Sequence, residues 1–324
     1  MPEQASDGKA RKVPAGTADK VIVDVEGRTL TLSNLGKVLY PETGFTKGEV
    51  IDYYMRVAPV LLPHLADRAL TIKRYPNGVD APFFFEKNVS RGTPSWVRTI
   101  RLPVPGSTKD RETIDFVVVD GLPTLARLAN LAALELHVPQ WRVPKGARKP
   151  RTDLIVFDLD PGPPATIVEC CEVALLLREV LVADGLTPFA KTSGSKGMQV
   201  SAPVEVADPG LTSEYAHTVA RELETKRPDL VVSRMTKSLR PNKVLVDWSQ
   251  NNPAKTTVAP YSLRARAAQT ASTPLDWDEL ADGGNLAFTA AQVLDRVAER
   301  GDLFAGVLDD SLRRRITATM ATRQ

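Results

Sequence analysis

The chain of 324 residues has only two cysteines, Cys170 and Cys171, which are adjacent in sequence. Adjacent thiols match neither the ligand spacing of a zinc site nor the framework of a disulfide-stapled secreted domain. No stretch approaches the roughly 18–20 consecutive apolar residues that a membrane helix requires. Residues 1–20 are polar and lack the apolar centre of a secretory signal. We therefore expect a soluble cytoplasmic protein with no membrane partner.

Net charge says little about the partners of this protein. Lysine and arginine total 42 against 39 acidic residues, which gives a formal charge of +3 and a pI near 8.8. Such a balance neither requires nor excludes a polyanionic ligand, because clustering of charge on one face matters more than its sum. The composition, 43% hydrophobic and 25% charged, is that of a globular chain of one large or two small domains.

Patterns along the chain predict alternating strands and helices. Residues 21–32 alternate apolar and polar positions around a Glu26-Gly27 turn, as in a hairpin. Thr46 and Glu49 match a capping box that begins a helix over residues 50–65. A second helix is predicted over residues 163–184, capped around Thr166. We also predict one helix over residues 122–136, a basic irregular connector over 138–152, and Phe83 to Phe85 in a loop. This alternation indicates an α/β or α+β body.

Two acids follow a buried strand at the centre of the sequence. The apolar run Leu154 to Phe157 leads directly into Asp158-Leu159-Asp160. Alternate residues of a strand point to the same side, so both carboxylates project together and repel each other unless a cation lies between them. They would suit Mg²⁺ or Mn²⁺. Two solvated acids at a strand end are an equally good explanation of this motif alone.

Two further segments favour the metal interpretation. Lys191-Thr192-Ser193-Gly194-Ser195-Lys196-Gly197 is a strand followed by a loop whose N–H groups, hydroxyls and lysine could hold a phosphate. Residues 244–247 form a second apolar run ending in Asp247, with Arg240 placed to neutralise a polyphosphate. A third carboxylate from another strand completes the set that two-metal phosphoryl transfer requires.

Seven segments in order resemble the polymerase domain of bacterial ligase D, in the archaeo-eukaryotic primase superfamily. They are NLGKVLYPETGFTKGEVIDYY, IKRYPNGVDAPFFFEKN, LARLANLAALELHVPQW, FDLDPGP, KTSGSKGMQV, RPNKVLVDWSQNNPAKTTVAPYSLRAR and STPLDWDEL. The resemblance covers about residues 24–315. It implies a primase-polymerase fold, with an RRM-like antiparallel sheet carrying the acids and packed on an N-terminal α/β module.

The resemblance also implies a role for individual residues. The metal-binding and catalytic acids are Asp158, Asp160 and Asp247, with two Mn²⁺ or Mg²⁺ ions as cofactors. The nucleotide-binding residues are His137, Ser193, Lys196, Gln199, Arg240 and Gln250. The residues implied to bind a DNA 5′-phosphate are Asn34, Lys37 and Lys47, and those implied to bind the template are Lys73, Arg74, Phe84 and Phe85.

The implied activity is template-directed addition of NTPs or dNTPs, filling short gaps or extending DNA ends with a 5′-phosphate. Residues 1–20 would be a disordered tail and residues 21–324 one domain. Its parts would be an N-terminal module at about 21–125, a catalytic core at about 126–265 and a C-terminal helical segment at 266–324. Because no KxDG ligase motif is present, we expect a free-standing polymerase-like chain that relies on a separate DNA ligase for sealing. We expect a monomer, and the resemblance implies the end-binding protein Ku as a further partner.

One position departs from the family pattern. Gln199 stands where the pattern SGSKGLHV has histidine. Glutamine can donate a hydrogen bond to phosphate but cannot be a cation, so we expect weaker nucleotide binding or slower incorporation. A catalytically weak module that binds DNA ends is therefore one alternative. A phosphatase of the haloacid dehalogenase class is another, although Pro161-Gly162-Pro163 replaces the Gly-Thr that its DxD signature continues with.

Overall fold

The computed structural model describes residues 20–104, 112–147, 149–284 and 286–322. The strands up to the acidic motif are β1 (Lys20–Val25), β2 (Arg28–Ser33), β3 (Val38–Tyr40), β4 (Phe45–Thr46), β5 (Thr71–Arg74), β6 (Phe84–Glu86), β7 (Thr99–Pro103), β8 (Thr113–Val117), β9 (Ala133–Val138), β10 (Trp141–Arg142) and β11 (Arg151–Thr152). The later strands are β12 (Leu154–Pro161), β13 (Phe189–Thr192), β14 (Met198–Glu205), β15 (Val231–Val232), β16 (Val244–Asp247), β17 (Thr257–Val258), β18 (Pro274–Leu275) and β19 (Arg314–Arg315). The helices are α1 (Lys47–Leu65), α2 (Leu122–Asn130), α3 (Ile167–Ala183), α4 (Gly210–Lys226), α5 (Trp277–Asp282), α6 (Ala290–Arg300) and α7 (Ala318–Ala321).

A four-stranded sheet organises the first half of the protein. Its order is β17-β9-β5-β6, with every neighbouring pair antiparallel. Helices α1 and α2 bury their apolar sides in the same core as this sheet. The hydroxyl of Tyr54 on α1 donates to the carbonyl of Leu134 on β9 at 2.7 Å, so the helix is tied to the sheet by a buried hydrogen bond.

A larger sheet carries the acidic motif. Its order is β15-β16-β12-β14-β13-β18, and β19 pairs with β14. Ile155, Phe157 and Leu159 of β12 lie in the core shared with α3 and α4. Because side chains alternate along a strand, Asp158 and Asp160 lie on the opposite face. Strand β12 pairs antiparallel with β14 and β16, as expected for the sheet that carries the acids. The sheet is not antiparallel throughout, because β15 pairs with β16 and β19 with β14 in parallel.

A buried ion pair links the segment before β5 to the segment before β12. The guanidinium of Arg68 makes two hydrogen bonds to the carboxylate of Asp153, at 2.9 and 2.8 Å, and both side chains are buried. Arg142 reaches the same carboxylate at 2.8 Å. Asp153 directly precedes β12, so this contact holds the start of the acid-bearing strand against the N-terminal half.

Most local predictions agree with the structure. The β1–β2 hairpin turns at Glu26 and Gly27, and both partners of the Thr46–Glu49 capping box are made. Thr166 caps α3 by the same arrangement. These patterns succeed because their determinants are a few residues apart and need no tertiary contact.

The predicted helix over residues 122–136 is wrong in its second half. The helix ends at Asn130, Ala132 adopts a left-handed φ of 55°, and β9 begins at Ala133. The apolar residues Leu131 to Leu134 continue the apolar pattern of the helix, which explains the error. The alternation of Leu134, Leu136 and Val138 with Glu135 and His137 was the signal for a strand. This correction matters, since a strand places Glu135 and His137 on one side.

Smaller differences occur elsewhere. Phe84 and Phe85 belong to edge strand β6 rather than to a loop. The basic connector at 138–152 contains the β10–β11 ladder, and Arg142 is committed to Asp153. The C-terminal segment is not helical throughout, because β18 and β19 join the large sheet.

The tail predicted at residues 1–20 lies outside the described residues, except that Lys20 begins β1. The boundaries near 125 and 265 stay predictions. Of the helices in the described parts of the chain, none has the length and apolar character needed to cross a bilayer.

Candidate active site

The three predicted acids converge across two neighbouring strands. Asp158 of β12 is the direct antiparallel partner of Asp247 of β16, and Asp160 follows on the same face. Each can offer a carboxylate oxygen within 4.8 Å of the others. Burial and the charges of Asp160 and Asp247 raise the pKa of Asp158, against a hydrogen bond from Gln199. Burial and Asp247 likewise raise the pKa of Asp160.

The mutual repulsion of these buried carboxylates indicates which ligand the three acids bind. Three oxygen donors in a small, partly buried space suit a hard divalent cation, which would remove the mutual repulsion. The donor set therefore fits Mg²⁺ or Mn²⁺ and lacks the nitrogen or sulfur ligands typical of zinc sites.

Neighbouring side chains orient Asp247. Its Oδ1 accepts hydrogen bonds from the N–H and hydroxyl of Ser249, at 2.9 and 2.5 Å. Its Oδ2 accepts one from the amide of Gln250 at 2.8 Å. Gln250 was predicted to bind nucleotide. Gln250 lines the same cavity, but in this structure its amide donates its hydrogen bond to Asp247.

Gln199 also contacts an acid. Its Nε2 donates to Oδ1 of Asp158 at 2.9 Å, and the two residues are direct partners across β12 and β14. Only 3% of Gln199 is exposed, and its Oε1 has no hydrogen-bond partner. The sequence predicted a donor to phosphate at this position. The structure instead places the amide on a carboxylate.

A polar row continues from Gln199 to a buried lysine. Lys191 of β13 is the cross-strand partner of Gln199, so Lys191, Gln199 and Asp158 occupy adjacent strands in register. The ammonium of Lys191 donates to the carbonyl of Val258 and the hydroxyl of Ser272, at 3.0 and 2.7 Å. Burial lowers the pKa of Lys191 to about 7. Sequence reasoning gave Lys191 no role, although a lysine inside an otherwise apolar strand is a usable signal.

The glycine loop borders a cavity of about 370 Å³. Gly194 has φ of +67°, and a Cβ on Gly197 would lie 2.0 Å from the carbonyl oxygen of Leu159. Both positions therefore require glycine, which lets the loop approach the end of β12. The predicted site residues that line the cavity are His137, Asp158, Asp160, Ser193, Lys196, Gln199, Arg240 and Gln250.

Two cavity residues were missed from the sequence. Arg264 and Arg266 line the cavity, and a guanidinium N–H of Arg264 donates to the carbonyl of Ser193. Both lie within the SLRAR segment, whose arginines at alternate positions were a signal for a shared face. With Lys196 and Arg240 they give the cavity four cationic side chains, as polyphosphate binding requires.

Gly162 explains how Arg240 reaches the site. A Cβ on Gly162 would lie 2.0 Å from the carbonyl oxygen of Arg240, and the N–H of Gly162 donates to the carbonyl of Lys243 at 2.8 Å. The segment after the acids therefore packs directly on the backbone of the Arg240 loop.

An exposed aromatic surface lies beside the cavity. Phe83, Phe84 and Phe85 are 48%, 44% and 58% exposed. Nζ of Lys73 lies 3.9 Å from the ring centre of Phe83, and Arg74 lies over Phe84 at 5.0 Å. The predicted template residues Lys73, Arg74, Phe84 and Phe85 are thus together on β5 and β6.

The three predicted 5′-phosphate residues also cluster, at the start of α1. The N–H of Lys47 donates to the carbonyl of Lys37, and the N–H of Lys37 to that of Asn34. Lys37 is exposed and its ammonium donates to Asn77 at 2.8 Å. Lys47 is buried and donates to the carbonyl of Ser33 at 2.5 Å. Burial and the charge of Lys37 lower the pKa of Lys47.

Comparison with known families agrees with this site. The model of the LigD primase-polymerase domain matches residues 46–304. The chain belongs to the LigD primase-polymerase family. The expected family and fold are confirmed. This family is one of metal-dependent nucleotidyltransferases and not of haloacid dehalogenase phosphatases.

Similar proteins support the assignment. The chain is 46% identical over 275 residues to the multifunctional non-homologous end joining protein LigD of Mycolicibacterium smegmatis, covering 85% of this chain and 35% of that protein. It is 31% identical to the bifunctional LigD of Bacillus subtilis, covering 84% and 43%. The chain thus spans well under half the length of these relatives. The solved polymerase domain of Mycobacterium tuberculosis ligase D in complex with DNA is 42% identical, with a TM-score of 0.81 over 87% of this chain and 98% of that one.

Proposed function

We propose that this chain is a template-directed polymerase that fills short gaps or extends broken DNA ends in repair. Three acids converge in one cluster, and two of them line a cavity together with four cationic side chains. This arrangement carries the proposal, since phosphoryl transfer requires both the acids and the cations. The related domain that was solved with DNA and the end-joining relatives support it.

The residues of the chain divide the chemistry between them. Ions held by Asp158, Asp160 and Asp247 would activate the 3′-hydroxyl of the primer and neutralise the leaving pyrophosphate. We propose two ions of Mn²⁺ or Mg²⁺. Lys196, Arg240 and the Ser193 loop bind the triphosphate. Ser249 and Gln250 keep both oxygens of Asp247 in place, which reduces reorganisation during the reaction.

DNA would lie across the aromatic surface and the start of α1. We propose that template bases stack on Phe84 and Phe85 while Lys73 and Arg74 contact the backbone, because stacking tolerates any base sequence. Asn34, Lys37 and Lys47 would bind the 5′-phosphate at the far side of a gap.

We propose further partners from the family resemblance rather than from the geometry. They are NTPs and dNTPs as substrates, Ku at the DNA end and a separate ligase for sealing. A cytoplasmic monomer acting on the chromosome fits these partners.

One observation favours a catalytically weak end-binding module instead. The amide of Gln199 is engaged with Asp158, so it offers the triphosphate less than the histidine of the family pattern would. The three intact acids favour the polymerase.

Primer extension distinguishes the polymerase from the end-binding module. The assay uses a labelled primer that ends at a short gap, with a 5′-phosphate on the far side of the gap. Mn²⁺ and either NTPs or dNTPs are added. Template-dependent incorporation that is lost in Asp158→Ala/Asp160→Ala supports the polymerase. If the wild-type protein incorporates nothing but binds the gap in a 5′-phosphate-dependent way, the polymerase proposal fails and the end-binding module stands. Asp115→Asn, which affects an exposed ion pair with Arg101, is the matched control.

A further inference from the structure

Glu135 is a buried carboxylate that the proposed chemistry does not use. It is 3% exposed, and its Oε2 lies 3.0 Å from Nε2 of His137, two residues along β9. Its Oε1 accepts from the N–H of Ala265 at 3.1 Å and lies 3.5 Å from Nε of Arg264 and 3.9 Å from Nζ of Lys73. Burial opposes ionisation of Glu135, but the contacts with His137 and Arg264 hold its pKa at about 2. Glu135 is therefore ionised.

An ionised Glu135 decides which ring nitrogen of His137 carries the proton. A carboxylate only accepts hydrogen bonds, so Nε2 of His137 must be the donor. Burial lowers the pKa of His137, and the nearby Lys73 and Arg264 oppose a second proton on the ring. The imidazole is consequently neutral, and Nδ1 is a hydrogen-bond acceptor.

Nδ1 is available to a ligand. Among the described residues none hydrogen-bonds to it, and the His137 side chain is 16% exposed where it lines the cavity. Phosphate oxygens are themselves acceptors, so an acceptor nitrogen is poorly matched to the triphosphate. It requires a ligand group that donates.

The position of His137 indicates which group that is. On one side its ring lies 6.4 Å from that of Phe85, in the aromatic surface. On the other side Glu135 links it to Arg264, beside the Ser193 loop. A nucleotide spanning from phosphate-binding residues to a template-paired base places its sugar between them, and the sugar hydroxyls are donors.

On the basis of the proposed polymerase function, we propose that Glu135 fixes His137 in the tautomer whose Nδ1 accepts a hydrogen bond from a sugar hydroxyl of the incoming nucleotide. Glu135 is then a positioning residue and His137 determines sugar specificity. An analogue lacking that hydroxyl leaves the acceptor unpaired in a partly buried site, which is how polar sites discriminate strongly.

The test measures equilibrium binding without chemistry. The protein binds gapped DNA with a dideoxy-terminated primer in Mn²⁺, and the Kd is compared for a ribonucleoside triphosphate and its 2′-deoxy, 3′-deoxy and 2′,3′-dideoxy analogues. We expect the wild-type protein to bind at least one deoxy analogue about tenfold more weakly, the usual effect of one buried hydrogen bond. His137→Phe should remove this ratio while the Kd of the dideoxy analogue stays unchanged. Glu135→Gln should reduce the ratio, because an amide permits either tautomer.

His217→Phe is the matched control, since His217 lies outside the cavity and stacks on Trp248 at 4.2 Å. It should keep the wild-type ratio. Equal Kd values for all four nucleotides in the wild-type protein would overturn the inference, as would equal weakening of all four in His137→Phe. Template-directed extension of an unblocked primer in the same preparation shows that the polymerase proposal survives such a result. Absence of both nucleotide binding and extension overturns both proposals.

Discussion

Gln199 donates a hydrogen bond from its amide Nε2 to Oδ1 of Asp158, at 2.9 Å, from the neighbouring strand. The contact helps to keep Asp158 ionised, since the hydrogen bond lowers its pKa while burial and Asp160 raise it. A residue that belongs by sequence to the glycine loop therefore acts on the acids.

Replacing Gln199 should weaken metal binding. Gln199→Leu removes the donor that orients Asp158. Loss of a hydrogen-bond partner behind a metal ligand typically lowers metal affinity about 10–100-fold, so we expect Mn²⁺ affinity to fall about tenfold or more. Titration of Mn²⁺ followed by electron paramagnetic resonance measures this directly. Gln269→Leu is the control, because Gln269 also has a buried unpaired Oε1 but does not line the cavity. Unchanged Mn²⁺ affinity in Gln199→Leu would contradict a role for this contact.

Gly162 should not tolerate a methyl group. In Gly162→Ala the added Cβ would lie 2.0 Å from the carbonyl oxygen of Arg240, so the Arg240 loop must shift. We expect the free energy of unfolding to fall by about 1–3 kcal/mol, as for overpacking, and nucleotide affinity to fall with it. Urea unfolding and nucleotide titration measure the two effects. Gly284→Ala has open space around its Cβ and should change neither. A stable Gly162→Ala with normal affinity would show that the loop adapts freely.

The exposed phenylalanines should contribute to DNA binding without contributing to stability. Phe85→Ala should weaken binding of a single-stranded template by about 1–3 kcal/mol, the usual value of one stacked base. Its free energy of unfolding should change by less than about 0.5 kcal/mol, because the ring is largely exposed. Fluorescence anisotropy and urea unfolding test both. Ile22→Ala changes an even more exposed apolar side chain, on the β1–β2 hairpin, and should leave DNA affinity intact. A loss of affinity as large in Ile22→Ala would argue against a specific aromatic platform.

Recognition of a 5′-phosphate should depend on Lys37. In Lys37→Ala we expect the affinity ratio between gaps with a 5′-phosphate and gaps with a 5′-hydroxyl to fall several-fold, because an exposed cation beside the ligand is lost. The effect should diminish at high salt. Lys226→Ala removes a comparable lysine from α4, paired with Glu222, and should leave the ratio unchanged. A phosphate ratio that survives in Lys37→Ala would place the 5′-phosphate elsewhere.

Stability should rise with pH around the ordinary pKa of histidine because of His64. His64 is buried and lies 2.9 Å from Asp302, and burial lowers its pKa despite that contact. The folded protein therefore binds fewer protons at His64 than the unfolded chain, so stability is lost as pH falls below about 6.5. His64→Gln retains a donor for Asp302 and removes this titration, which should reduce the slope between pH 5 and 7. Urea unfolding at four pH values measures the slopes. If the free energy of unfolding depends on pH equally in the wild-type protein and in His64→Gln, the pKa of His64 must be the same in the folded and unfolded states.

Local sequence patterns predicted much of this fold. Capping boxes at Thr46 and Thr166, the hairpin turn at Gly27 and the alternation in β12 all depend on residues a few positions apart. For the same reason the common side of Asp158 and Asp160 could be predicted. The apolar run that ends in Asp247, together with the family pattern, predicted that this third acid would lie beside Asp158 and Asp160. The structure shows the cross-strand register that places Asp247 opposite Asp158.

The change from α2 to β9 could not be predicted in the same way. The short apolar run from Leu131 to Leu134 suits a buried helix or a buried strand equally, and pairing of β9 with β5 and β17 decides between them. Only that pairing brings Glu135 beside Arg264, which follows it by more than a hundred residues.

Sequence alone thus determined the family, the candidate metal-binding acids and the glycine loop, because each can be recognised from residue types that lie a few positions apart. The tertiary structure decided what Gln199, Gln250 and Glu135 contact. Each is a polar side chain with several possible partners, and the cross-strand register and burial select one.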